Sequence, residues 1–439
     1  MRVLFLNTSE TKGGAAIAAK RLMDTLRRDG IDVSMIVRDK ESNDSAVMRI
    51  RSSKWMNKIR FMYERLGIFI YNGFSRENLF AVSQANTGVN ISRYSEVKCA
   101  DIIHLHWINQ GFLSLRDIHR LIAMGKPIVW TMHDMWPCTG ICHHARDCVS
   151  FTSQCGTCFF LQSRKTDDLS TAVFKKKQQW IFSNENITMV GCSNWLAGKA
   201  KTSALTKKHR VISIPNPIDT QQFKPSLDKK GCCRRLGLPE QRQLILFGAA
   251  NVTDKRKGIY YLIDAINQLL TVEPRLAEKM GIVVFGEAKA EFVSLVKIPV
   301  YPLGYVSDIT QIVALYNAID VFVTSSLEEN LPNTIMEAMA CGVPCVGFQV
   351  GGIPEMIDHK ENGYVAAYKD AADLATGIDW VLNKADRDKL SRDARKKVEE
   401  NYSEAVVAKQ YIELYRACLL KYDYSAAEKK RRKEKHERR

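Results

Sequence analysis

Two glutamates eight positions apart, Glu329 and Glu337, flank a Leu-Pro-Asn-Thr stretch in which Pro332 and Asn333 carry the marks of a helix start. Carboxylates accept hydrogen bonds from vicinal hydroxyls, and the first amides of a helix attract phosphate. The spacing therefore predicts two carboxylates bracketing a helix N-terminus, with the amides around Asn333, Thr334 and Ile335 holding a diphosphate between them, an arrangement that suits a sugar-nucleotide. The helix dipole alone would also favour both glutamates in that first turn. A second anion signal is Lys12-Gly13-Gly14, where glycines ahead of a helix allow close backbone approach. A third cluster is thiol-rich: Cys138, Cys142, Cys148, Cys155 and Cys158, with His143 and His144, fall within one short segment. Cys155-x2-Cys158 has the spacing of a zinc knuckle, which Cys142 and Cys148 could complete as a tetrahedral structural zinc site; unpaired thiols are the alternative. His104 and His106 alternate on one face of a predicted strand.

The elements that must position these residues follow an α/β grammar of short apolar runs alternating with helical periodicity. Strands are predicted at 3–6, 33–37, 102–105, 128–131, 187–190 and 211–214, then at 244–247, 282–285, 321–324 and 344–348. Helices are predicted at 15–26, 258–270, 309–317, 334–340, 371–382 and 403–420. Pro215-Asn-Pro-Ile-Asp219 breaks both helix and central strand, so the boundary is placed there. This gives residues 1–219 as one Rossmann-like domain with a Cys-rich insert at 138–158, 220–402 as a second, 403–427 as a closing helix and 428–439 as a basic tail.

A chain of 439 residues with 46% hydrophobic and 26% charged residues supports two large cores and excludes a collagen-like or disordered chain. The net charge of +16 favours anionic partners, and residues 428–439 supply +5 of it through eight Lys/Arg against three Glu. The first apolar run is too short for a signal-peptide core, and no window reaches the length of a membrane span, so a cytoplasmic location is expected. Trp55, Ile59, Met62 and Leu66 recur at helical spacing with Lys54, Lys58 and Arg65 nearby. That pattern fits either an interfacial helix on an anionic membrane surface, which would make the protein peripheral on the inner face, or a buried helix of the first domain.

The Glu-x7-Glu element, followed by Ala338-Met-Ala-Cys-Gly-Val-Pro344 and Gly351-Gly-Ile-Pro-Glu355, resembles the retaining GT-B glycosyltransferases of glycosyltransferase family 4. Thr131-Met-His133, Lys257-Gly258, Phe285-Gly286 and Leu303-Gly304-Tyr305 extend the likeness over most of the chain. The resemblance implies two doubly wound Rossmann-like domains facing across a cleft, with a carboxy-terminal helix crossing back to the first. It implies transfer of a hexosyl unit from a UDP- or GDP-sugar to a glycan or lipid-linked acceptor with retention, and no catalytic metal. By position, Glu337 would bind the donor ribose, Glu329 the sugar hydroxyls and Lys257 the diphosphate, Gly14 would admit the first loop, and His133 would lie near the reacting carbon. Lys257 and Arg256 could equally be a solvated basic patch, and His133 a core histidine.

Two departures stand out. The family's arginine before Lys-Gly is absent from Gly248-Ala249-Ala250-Asn251, which makes Arg256 the candidate substitute, and Pro332 replaces a common glycine and removes one amide. The fold also hosts nucleotide-sugar epimerases and phosphorylases. The basic charge raises a nucleic-acid-binding alternative, but no aromatic RNA-binding signature or DNA-binding helix pair accompanies it, so no nucleic acid is expected.

Overall fold

The computed structural model describes residues 1–163, 165–251, 254–287 and 295–437. The chain forms two compact units, Met1–Asn216 with Val407–Arg439, and Pro217–Val406. Each is a parallel sheet flanked by helices.

Among the described residues the first unit holds strands β1 (Arg2–Ser9), β2 (Asp32–Asp39), β3 (Val47–Arg49), β4 (Ile102–Leu105), β5 (Ile128–Met132), β6 (Ile187–Gly191) and β7 (Arg210–Ser213). Their order is β3-β2-β1-β4-β5-β6-β7. The second holds β8 (Gln243–Asn251), β9 (Met280–Glu287), β10 (Val300–Gly304), β11 (Val321–Thr324), β12 (Cys345–Phe348) and β13 (Gly363–Ala366), in the order β10-β9-β8-β11-β12-β13. Central strands such as β4, β5 and β11 are buried throughout, which is why they appear in sequence as unbroken apolar runs. Strands β3, β10 and β13 were not predicted. All three lie at sheet edges, where a strand needs no continuous apolar run.

The closing helix runs from Glu404 to Glu437, beyond both the helical run expected at 403–420 and the closing-helix segment 403–427, and takes in the expected basic tail up to its last two residues, which lie outside the described residues. Val407, Ala408, Tyr411, Leu414, Tyr415 and Cys418 are buried in one core with Val3, Phe5, Leu22 and Val33. The helix is therefore part of the first unit's core. The Cys-rich segment is likewise no appendage: Cys138, Cys142, Phe151 and Cys155 lie in the main core of that unit.

Ser53 caps the helix Lys54–Tyr71 by accepting from the Met56 N–H at 3.1 Å. This helix is not the buried element of one prediction, because Trp55, Ile59, Met62 and Leu66 are exposed. Arg65, expected among its surface cations, is buried instead. Among the described residues no helix is long and apolar enough to cross a membrane.

Candidate functional site

In the second unit the chain leaves β11 at Thr324 and is stitched at once to a neighbouring turn. Ser325 Oγ donates to the carbonyls of Lys257 (3.1 Å) and Gly258 (2.8 Å), and the Leu327 N–H donates to the Arg256 carbonyl (2.7 Å). These bonds bring Lys257 Nζ to 2.8 Å from Glu329 Oε2, a half-buried ion pair between residues far apart in sequence. Gly351 fixes the other side. Its φ of +58° lies in the left-handed region, and a Cβ there would fall 1.7 Å from the Glu329 carbonyl oxygen. The Gly352 N–H then donates to the Asn330 carbonyl at 2.7 Å. The Gly-Gly of the second signature thus lets its turn press against the backbone that carries Glu329.

The helix Asn333–Ala340 starts directly after Pro332, and no side chain caps its N-terminus among the described residues. Glu337, one turn in, is buried, and its Oε2 accepts from the Tyr316 hydroxyl at 3.0 Å. Burial first, then the neighbouring Glu337, holds the Tyr316 phenol protonated by pushing its pKa well above the ordinary value, so it remains a donor. At the far end Arg395 donates to the carbonyls of Ala340 (2.6 Å), Phe223 (2.6 Å) and Thr220 (2.8 Å), placing a cation on the helix C-terminus. The structure thus brings Lys257, Glu329, Asn333, Thr334, Ile335 and Glu337 together within one unit. Arg256, the candidate second cation, is forked onto Asp254 at 3.3 and 2.7 Å, so its charge is already matched by a carboxylate. The side chains of 249–251, where the family arginine would be sought, lie outside the described residues.

In the first unit the glycine that the loop requires is Gly13, the N-cap with φ +92°, whereas Gly14 is the first residue of the helix Gly14–Arg28. At the end of β5, His133 Nε2 lies 3.1 Å from His106 Nδ1, and His133 Nδ1 lies 3.6 Å from Cys192 Sγ. His106 Nε2 is buried without a partner among the described residues. An unpaired N–H costs more there than an unpaired lone pair, so the proton belongs on Nδ1, donated to His133 Nε2. Both nitrogens of His133 are then engaged, one by His106 and one by Cys192. Burial drives its pKa down to about 4, against a smaller opposing pull from Asp134. His104 and His106 are pushed well below their ordinary values, again by burial first. His104 bonds Tyr415 Oη and Thr131 Oγ1, both at 2.7 Å, and Thr131 bonds Tyr411 Oη at 2.9 Å, so the closing helix supports this row.

Asp134 anchors the other flank, accepting from Trp107 Nε1 (2.8 Å) and the Trp136 N–H (2.8 Å) and facing His143 Nδ1 (2.7 Å). Burial would raise its pKa, but His143 and the other donors outweigh that and bring it to about 2. Asp134, Tyr316, Tyr411 and Tyr415 each make a contact to a separate element of the fold, which no local spacing records.

The four cysteines expected to hold structural zinc lie in or against the first core, with Cys155 Sγ accepting from the Gly140 N–H at 3.2 Å. Among the described residues no group of three or more His, Cys, Asp or Glu gathers in a form that could hold a metal. Burial raises Cys142 well above the ordinary thiol value, Cys155 to about 11 and Cys158 to about 12.

Comparison with known proteins follows the same division. Residues 12–222 match the family model described as Glycosyltransferase Family 4, and residues 241–384 match Glycosyl transferases group 1. The chain belongs to glycosyltransferase family 4. An uncharacterized glycosyltransferase of Methanocaldococcus jannaschii is 30% identical over 250 residues, 55% of this chain and 63% of that protein. N-acetyl-alpha-D-glucosaminyl L-malate synthase of Bacillus anthracis is 26% identical over 222 residues, 49% and 56% respectively. The chain therefore spans less than two thirds of those two relatives. It spans 82% of the D-inositol 3-phosphate glycosyltransferase of Corynebacterium jeikeium, at 22% identity over 388 residues, 83% of this chain. Among solved structures, sucrose-phosphate synthase from Thermosynechococcus elongatus aligns with TM-score 0.66 at 18% identity, covering 95% of this chain and 98% of that one. HepE of Anabaena in complex with UDP-glucose aligns with TM-score 0.60 at 15% identity, covering 95% and 100%. The fold of this family 4 member is the two-domain GT-B architecture.

Proposed function

We propose that this family 4 protein moves a hexosyl unit from a nucleotide-diphosphate sugar to a glycan or lipid-linked acceptor with retention of configuration. The observation that carries the reading is the ion pair of Lys257 with Glu329, set just ahead of the helix Asn333–Ala340 that carries the buried Glu337. An ammonium has three donors; one serves Glu329, and the others suit two oxygens of a diphosphate. Glu329 and Glu337 accept from sugar and ribose hydroxyls, while the helix N-terminus adds positive potential. In the reaction the bond from the sugar's anomeric carbon to the phosphate oxygen breaks and the acceptor oxygen bonds to that carbon. The acceptor's proton passes to the leaving phosphate, whose growing charge Lys257 stabilises. That HepE binds UDP and UDP-glucose on the same fold supports this choice of donor class.

The test is a thermal-shift panel of UDP, GDP and ADP on the wild type and on Lys257→Ala and Glu337→Gln. At about 100 times its Kd a diphosphate stabilises the protein by about 2.7 kcal/mol. The reading requires one nucleotide to raise the melting temperature of the wild type and both variants to lose that response. A folded wild type indifferent to all three would overturn it. The anomeric configuration of the product, read by NMR, tests retention.

A further inference from the structure

The helix Lys54–Tyr71 is built inside out. Two of its charged side chains face the protein: Glu64 Oε1 accepts from the N–H groups of Gln84 (3.1 Å) and Ala85 (3.0 Å), and Arg65 donates to the carbonyls of Val82 (3.1 Å) and Leu79. Glu64 is 0% exposed and Arg65 6%. Trp55, Met62 and Leu66, by contrast, are 69%, 56% and 53% exposed, and Ile59 completes their stripe along one face. These hydrogen bonds, with Ile68 buried in the core, hold the helix in place. The apolar stripe is left to solvent, a pattern that marks an interaction surface.

One step around the same helix, Lys54 and Lys58 line a cavity of about 590 Å³ whose other walls include Lys12, Arg38, Lys40 and Arg49. Two carboxylates share this cavity: Glu41 pairs with Lys12 at 2.5 Å, and Asp39 pairs with Arg38. Lys40 donates to the Asp44 carbonyl at 2.8 Å and Arg49 to the Ser52 carbonyl at 2.9 Å. Among the described residues Lys54 and Lys58 have no ion pair. The cavity thus carries a clear cationic excess beside an exposed apolar stripe.

We propose that this face docks on a bilayer containing anionic lipid, with the Trp55–Leu66 stripe entering the boundary between headgroups and acyl chains and a lipid phosphate seated in the cavity. Charge selects this occupant: a second copy of the chain would set six cations against the same six, whereas lipid phosphates complement them. Aromatic side chains with one polar edge, here Trp55, Tyr63 and Tyr71, suit the interface, and the net charge of +16 adds attraction to an anionic surface. The proposal rests on this surface alone and does not depend on the transferase reading.

Co-sedimentation of the full chain with phosphatidylcholine vesicles, with and without phosphatidylglycerol, tests it. The wild type should partition at least about tenfold more strongly onto the anionic vesicles, and added salt should weaken that binding. Lys54→Glu/Lys58→Glu should lower binding at least about tenfold, and Trp55→Ser/Met62→Ser/Leu66→Ser should abolish it, with unchanged circular dichroism and melting temperature. The nucleoside diphosphate response reports the second unit separately, so either reading can fail alone. Equal binding to neutral and anionic vesicles, no binding to either, or variants that bind like the wild type would overturn the proposal. So would a wild-type dimer in light scattering that the serine variant dissolves.

Discussion

At the end of β11 in the second unit a lysine and a glutamate meet 2.8 Å apart in a turn made from two short stretches of chain. Along β4 and at the end of β5 in the first unit, three histidines line up between tyrosines of the closing helix on one side and Cys192 on the other. The first arrangement is ionic and half-buried. The second is uncharged, because burial holds the imidazoles deprotonated at neutral pH. The two sites sit on the same sheet architecture yet differ in charge: the strand-end turn of the second unit pairs a cation with an anion, and the histidine row of the first is neutral.

The strongest way to break this contrast is to remove the cation. Lys257→Ala should lower sugar transfer about 100- to 1000-fold, the usual cost of losing one stabilising donor, measured as product formed at saturating donor. A loss of only a few-fold would mean that the charge balance lies elsewhere. Gly351→Ala comes next. The left-handed backbone alone costs roughly 1–2 kcal/mol, and the new Cβ meets the Glu329 carbonyl oxygen, so denaturant unfolding should show destabilisation together with weaker nucleotide binding.

The histidine row makes a prediction about pH. A buried neutral imidazole takes up its proton only on unfolding, so between its folded value and 6.5 the unfolded chain binds more protons and stability rises with pH. For His133 that window runs from about 4 to 6.5, and His104 and His106 add to it. Asp134, held at about 2, keeps its charge throughout. The first unit should therefore be fully stabilised above 6.5 and lose stability as the pH falls, and His133→Phe should flatten that slope in a series of thermal melts. Two tyrosines sharpen the contrast at smaller scale. Tyr316→Phe leaves Glu337 short of a donor and should cost about 1–3 kcal/mol, while Tyr411→Phe removes one neutral hydrogen bond and should cost about 1 kcal/mol, both read from denaturant unfolding.

The same contrast explains what could be read without a structure. Glu329 and Glu337 sit in one compact motif because a strand-end turn and the helix after it are made from neighbouring residues, so spacing singled them out, whereas Lys257, 72 positions from Glu329, was named only through the family resemblance. The supports could not be found that way: Tyr316 reaches Glu337 from another helix, and Tyr415 reaches His104 across 311 positions. Central strands were legible through continuous burial, while the edge strands β3, β10 and β13 were not. On the helix Lys54–Tyr71 periodicity found the apolar stripe but could not say which way it faces, because the hydrogen bonds that turn Glu64 inward come from residues 84 and 85.

The route of the closing helix bears on the order in which the protein can be made. Pro217–Val406 is one uninterrupted run, whereas the first unit needs Val407 onward to cover the face that includes Val3, Phe5 and Val33. On the ribosome the second unit is therefore complete in sequence before the first, although the first begins to emerge earlier. Until Tyr411 and Tyr415 arrive, the nascent first sheet has an uncovered apolar flank and an unsupported His104, a state in which a chaperone has the most to bind.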